Sequence, residues 1–152
     1  MTNQESISGG GMKINQDYLK KLLETFEAAQ TPVVNILELQ AAGLEYEDDL
    51  FVFHMNYLAD LDFVERDDRE PGYGLVRGMD GHMSWAVLPL RLTAQGHQFI
   101  EALRNKEVWA TLKRDFKEAS VNTLWDVSIK LLEGYTRNKI ERLLKGEDLT
   151  QL

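Results

Sequence analysis

Residues 48–66 read DDLFVFHMNYLADLDFVER, and a change of period inside this stretch decides the fold. In its first part Leu50, His54, Leu58 and Leu61 recur at i, i+4, i+8 and i+11, the spacing of one helix face. Glu47, Asp48 and Asp49 sit in the first turn, where the helix dipole favours negative charge. Asp62 to Arg66 then alternates as a short strand. Upstream, a helix is expected from about Asn15 to Ala29, with Leu19, Leu22, Leu23 and Phe26 forming its buried stripe. Asn15 and Asp17 are both suited to cap it. Thr31-Pro32 either caps the next helix with Pro at its first position, or Pro32 to Val34 forms a short edge strand. Ile36, Leu37 and Leu39 belong to a short second helix, which Gly43 ends.

Downstream, Asp67 to Gly81 is rich in charge, Pro and Gly and reads as turns around Tyr73 to Arg77. Met83 to Leu92 has strand composition. The order helix, helix, helix, strand, loop, strand predicts an α+β, mainly helical fold: a winged helix-turn-helix with a small β-wing and additional C-terminal helices. Thr93 caps the first of these, with Phe99, Ile100 and Leu103 on one face. Val108, Trp109, Leu112 and Phe116 continue the stripe after a kink near Asn105. The last helix carries Leu124, Val127, Leu131, Leu132, Tyr135, Ile140, Leu143 and Leu144, with Gly134 as a weak point. The expected organisation is a disordered leader over 1–12 and a winged-helix domain over 13–104. A helical extension over 105–152 packs on that domain or on a second subunit.

The 152 residues are 43% hydrophobic and 28% charged, a globular composition. Cysteine is absent, which excludes disulfides, thiol nucleophiles and cysteine-held metals and suits a reducing compartment. No apolar run approaches the ~20 residues of a bilayer helix, and the N-terminus lacks a signal-peptide pattern. A cytoplasmic, non-membrane protein is expected. The net charge of −8 is unevenly spread. Residues 1–104 carry 8 Lys and Arg against 17 Asp and Glu, a net of −9, and 105–152 carry 9 against 8. The acidity lies on the half assigned to the winged helix, which opposes phosphate binding.

The stretch Arg91-Leu92-Thr93-Ala94-Gln95-Gly96-His97-Gln98-Phe99-Ile100, followed by Val108-Trp109 and Lys113, resembles the bacterial and phage family called domain of unknown function 2513. That family shows an Arg-Leu-Thr-x-x-Gly-His-x-Phe pattern and then a Trp on the following helix. Phe53-His54-Met55 with Leu58 and Leu61 is similar to its third-helix pattern, and the resemblance runs from about Met12 to Leu144. Asp62 departs from it, standing where the family often has a helix-ending Gly; Asp tolerates the left-handed conformation better than most residues. The resemblance implies a winged-helix-like fold in a bacterial or prophage protein, and it brings no catalytic residues.

A DNA-reading third helix presents Arg, Lys, Asn, Gln or Ser to base edges. Between Glu45 and Leu61 there is no Lys or Arg, and five acids are present. Opposite the Leu50 face lie Phe51, Met55 and Asn56, so the reading face is expected to be packed by the C-terminal helices or by a second copy. Phe51, Met55, Asn56, Trp109 and Trp125 form the expected interaction face, the tryptophans as core or interface anchors. Arg66, Arg69 and Arg77 on the wing are the remaining candidates for nucleic acid, but acids interleave with them. His54, His82 and His97 lack zinc-motif spacing, and His54 and His97, both on helices, each read as a core or boundary histidine bonded to backbone. No cofactor or metal is called for, and no nucleophile–base or paired-carboxylate constellation is visible. The expected role is a non-enzymatic interaction or assembly module that pairs with itself as a homodimer or with another protein. The alternative is a dimeric transcriptional regulator touching DNA through its wing.

Overall fold

The structure, a computed structural model, describes residues 12–146. The leader expected over 1–12 lies outside these residues except for Met12, as does the polar tail after Gly146. The chain divides into two compact units, one up to Ile100 and one from Glu101. The class is α+β and mainly helical, with six helices and two small antiparallel sheets among the described residues.

The first unit begins with α1 (Gln16–Glu27), α2 (Ile36–Ala41) and α3 (Asp49–Asp60). Of the two candidate caps of α1, Asn15 serves, its side chain accepting from the Tyr18 amide at 3.0 Å. Asn35 and Glu38 close a capping box on α2. Gly43, with φ of 95°, ends α2 in a Schellman motif: Leu44 N–H reaches Leu39 C=O, and Gly43 N–H reaches Gln40 C=O, both at 2.9 Å. Asp62 ends α3 the same way, with φ of 62° and Phe63 N–H donating to Leu58 C=O at 2.8 Å. The left-handed turn therefore survives without glycine, as the sequence led us to expect.

Four strands follow: β1 (Val64–Arg66), β2 (Leu75–Arg77), β3 (Met83–Trp85) and β4 (Leu90–Leu92). β4 pairs antiparallel with β1, Glu65 opposite Arg91, and β2 pairs with β3 as a separate hairpin. Val34 bridges Leu90 on the other side of β4, through N–H to C=O bonds of 2.7 and 2.9 Å. The choice left open at Pro32 to Val34 thus falls to an edge segment, and the cap of α2 is Asn35. The expected single strand from Met83 to Leu92 is two strands serving different sheets. Pro89, which has no N–H to give a ladder, lies in the connection between them.

One expectation about α3 is corrected. Its buried stripe is Phe51, His54, Met55 and Leu58, at i, i+3, i+4 and i+7, whereas Leu50 and Leu61 are only half-buried. Phe51 and Met55 are sealed inside the chain and offer nothing to a partner. A run apolar on every side leaves the phase of its core stripe undecided in sequence, and tertiary neighbours select it.

From Thr93 the chain enters α4 (Ala94–Arg104), which runs through the boundary between the units. The second unit continues with α5 (Lys106–Asp115) and α6 (Val121–Leu144). The kink expected near Asn105 is a full break, with the Asn105 side chain capping α5 at the Glu107 and Val108 amides, both at 3.0 Å. Val108 and Leu112 of α5 are buried, as are Val121, Leu124 and Ser128 of α6. Ser120 caps α6, which then continues unbroken through Gly134 to Leu144.

Candidate functional site

The β2–β3 hairpin meets one shoulder of α3 through aromatic rings. Trp85 lies at centroid distances of 5.1 Å from Tyr46, 6.0 Å from Phe51 and 6.0 Å from Tyr73. The Tyr73 hydroxyl donates to Asn56 Oδ1 at 2.5 Å, with the Val52 carbonyl at 3.4 Å. Burial pushes the Tyr73 phenol up to about 12. Asn56, expected on an open interaction face, is therefore tied to the hairpin. The cover expected from the C-terminal helices or a second copy comes, on this shoulder, from the chain's own residues 73–85. Tyr46 and Tyr73 were missed because each is a lone aromatic among turn residues; the pair of glycines around Tyr73 is the one local signal for a ring set into a turn.

The side of α3 away from its buried stripe carries Asp49, Phe53, Tyr57 and Asp60. Phe53 and Tyr57 stack edge-on at 5.3 Å, and Tyr57 is 39% exposed. From Asp49 to Asp60 the helix contains no Lys or Arg.

The candidate nucleic-acid arginines are mostly engaged. Arg66 grips Asp68 through two bonds, of 3.0 and 2.6 Å, which hold that carboxyl below its usual range. Arg69 lies 3.5 Å from Glu65, which also accepts from Arg91 across the β1–β4 pair. Arg77 is exposed on β2, and its guanidinium approaches the Met83 sulfur at 3.5 Å.

His54 is fully buried and uses both ring nitrogens on backbone. Nδ1 donates to the Leu50 carbonyl at 2.8 Å, while Nε2 accepts from the Asn15 amide at 2.9 Å, so neither is left for a metal. His82 is exposed, and so is His97, contrary to the expectation of a core or boundary place, because it lies on the side of α4 away from the buried Phe99, Ile100 and Leu103. Among the described residues no group of three His, Cys, Asp or Glu side chains is placed to hold a metal ion. None of the described helices is long and apolar enough to cross a membrane. The remaining interaction candidates, Trp109 and Trp125, lie half-buried in the second unit, with Lys113 Nζ 5.3 Å from the Trp109 ring centre.

The segment after β4 has a structural account residue by residue. Thr93 Oγ1 donates to the Asp62 carbonyl at 2.6 Å and accepts from the Gly96 amide at 3.0 Å. Gln95 Nε2 reaches the Leu61 carbonyl at 3.2 Å, helping to satisfy the end of α3. A Cβ on Gly96 would stand 2.2 Å from the Phe63 carbonyl oxygen, so only glycine lets α4 lie this close to β1. Phe99 packs on Phe63 at 4.9 Å. Through these contacts the segment holds helix ends and a strand together.

The family described as hypothetical protein (DUF2513) matches residues 13–122. The match takes in the first unit and α5 and stops two residues into α6, short of the span to Leu144 expected from the sequence. No curated protein and no solved structure matches the chain.

Proposed function

The chain belongs to the DUF2513 family, and on that premise we propose that it is a non-enzymatic winged-helix module for protein interaction and assembly. Support for the winged-helix reading comes from connectivity. Three helices precede β1; Val34, β4 and β1 lie side by side in that order; and the β2–β3 hairpin takes the place of the wing. In a DNA-binding member of this architecture the third helix enters the major groove. The observation that carries the proposal is that α3 has no cation and leaves Asp49 and Asp60 exposed, while its own hairpin occupies one shoulder. Phosphates would be repelled where they should be neutralised. Arg66 at the end of β1 and Arg69 in the turn after it, two of the arginines offered for nucleic acid, are already committed to carboxylates.

The test is an electrophoretic shift on genomic fragments at low salt. The expected result is no shift beyond weak binding indifferent to sequence. Tight binding with a steep salt dependence, lost on replacing Arg66, Arg69 and Arg77 by Ala, would sink the proposal in favour of a regulator working through its wing.

A further inference from the structure

We infer that α6 is the self-association surface of this protein, pairing antiparallel with α6 of a second copy across Thr136. The inference rests on the assembly reading above and gives it a place. α6 buries Val121, Leu124 and Ser128 and no residue beyond them. Yet its apolar residues continue for four more turns. Ile140, Leu143 and Leu144 are 51%, 59% and 81% exposed. Ile129, Leu132, Thr136, Ile140 and Leu143 follow one another at steps of 3, 4, 4 and 3 residues, a single stripe about 21 Å long. Ile129 and Leu132 are half-buried and the other three are exposed.

The stripe is symmetric about Thr136. Ile129 and Leu143 stand seven residues on either side of it, and Leu132 and Ile140 stand four. Two antiparallel copies crossing at Thr136 therefore set Leu132 against Ile140 and Ile129 against Leu143, each contact made twice by the two-fold axis. Charge selects the antiparallel sense. Val121 to Gly134 carries Asp126, Lys130 and Glu133, a net of −1. Tyr135 to Lys145 carries Arg137, Lys139, Arg142 and Lys145 against Glu141, a net of +3. An antiparallel pair lays each basic end along the partner's acidic half, whereas a parallel pair would lay basic on basic. Glu133 and Arg137 are both exposed, lie on one flank of the stripe and make no ion pair among the described residues. In the pair, Glu133 comes beside Arg137 of the second copy.

Sedimentation velocity on the full chain tests this. The wild type is expected to show a concentration-dependent dimer. Ile140→Asp with Leu143→Asp should weaken it at least tenfold at an unchanged thermal midpoint. Glu133→Arg or Arg137→Glu alone should weaken the dimer, and the two together should restore it. The sequence has no cysteine, so single substitutions report on geometry. Thr136→Cys should cross-link under mild oxidation. Lys145→Cys should not, because the antiparallel pair holds those positions about 27 Å apart.

A wild type that stays monomeric at every concentration overturns the inference, including the case where it instead sediments with phosphatidylserine vesicles. Faster cross-linking through Lys145→Cys than Thr136→Cys also overturns it. A dimer that survives Ile140→Asp with Leu143→Asp removes α6 as the surface and leaves the assembly reading standing. Only tight, salt-sensitive DNA binding lost on replacing Arg66, Arg69 and Arg77 removes that reading.

Discussion

α3 and α6 both carry more apolar residues than one buried face needs, and the chain treats them in opposite ways. On α3 the surplus is absorbed within the first unit. Phe51, Met55 and Leu58 are sealed, Trp85 and Tyr73 close on one shoulder, and a hydroxyl ties Tyr73 to Asn56. On α6 the burial ends at Ser128, and Ile140, Leu143 and Leu144 stand in solvent. Amphipathic pattern alone does not separate the two cases. The difference lies in whether another segment returns to the helix: residues 73–85 return to α3, whereas among the described residues nothing buries α6 beyond Ser128.

The largest break in this comparison should come from matched truncations. Phe51→Ala removes a fully buried ring and should cost about 3–5 kcal/mol in urea unfolding, whereas Leu143→Ala should change monomer stability by about 0.5 kcal/mol or less. Equal costs would mean that α6 is covered after all.

Acid should act on α3 and spare α6. His54 is neutral because Nε2 must accept from the Asn15 amide, and burial holds its pKa below the ordinary value. The Tyr18 ring lies 4.9 Å from it and the Phe53 ring 5.3 Å, so no neighbouring ring in contact supplies a charge to relieve protonation. A depressed folded-state pKa gives stability that is complete above about 6.5 and is lost as pH falls through the folded value. The urea midpoint should fall between pH 7.5 and pH 5, and His54→Leu should flatten that difference. A slope that persists in the variant assigns the acid sensitivity to other groups.

The hairpin shoulder should respond more mildly. Tyr73→Phe deprives Asn56 of its donor and should cost about 1–2 kcal/mol at neutral pH. The raised phenol implies stability fully present below about 10 and lost as pH climbs toward about 12. The variant should lack that alkaline loss in a thermal-melt series; an unchanged series would place the titrating group elsewhere. Smallest is Asp62→Gly, which relieves a left-handed φ of 62° and should gain about 0.5–1 kcal/mol while keeping the Thr93 bond to the backbone carbonyl. A loss would show that the Asp62 side chain has work of its own.

Much of the fold was legible because its signals are local. Asn15 and Thr93 cap helices and Gly43 ends one, as their local patterns indicate, whereas the caps at Asn35 and Asn105 were not picked out. The candidate site was less legible. Phe51 and Met55 were assigned to an outer face because a helix apolar on all sides offers several stripes at nearly equal hydrophobicity. Arg66 and Arg69 could be seen to lie among acids, but which acid each would hold depends on the turn at Arg69, whose φ is 68°. The Thr93-Ala94-Gln95-Gly96 stretch is recognisable in sequence as a signature, but its role is not. Its partners, Leu61, Asp62 and Phe63, are about thirty residues away.

By itself the sequence determined the approximate places and order of the helices up to the break at Asn105, the acidic first half and the absence of cations on the third helix. These depend on residues within one or two turns of each other, or on composition alone. Only the tertiary structure decided which stripe of α3 is core, that the hairpin closes its shoulder, and that α6 keeps an open apolar face. Each of these turns on which distant segment returns to cover a helix, and a surface amphipathic on several sides leaves that choice to packing.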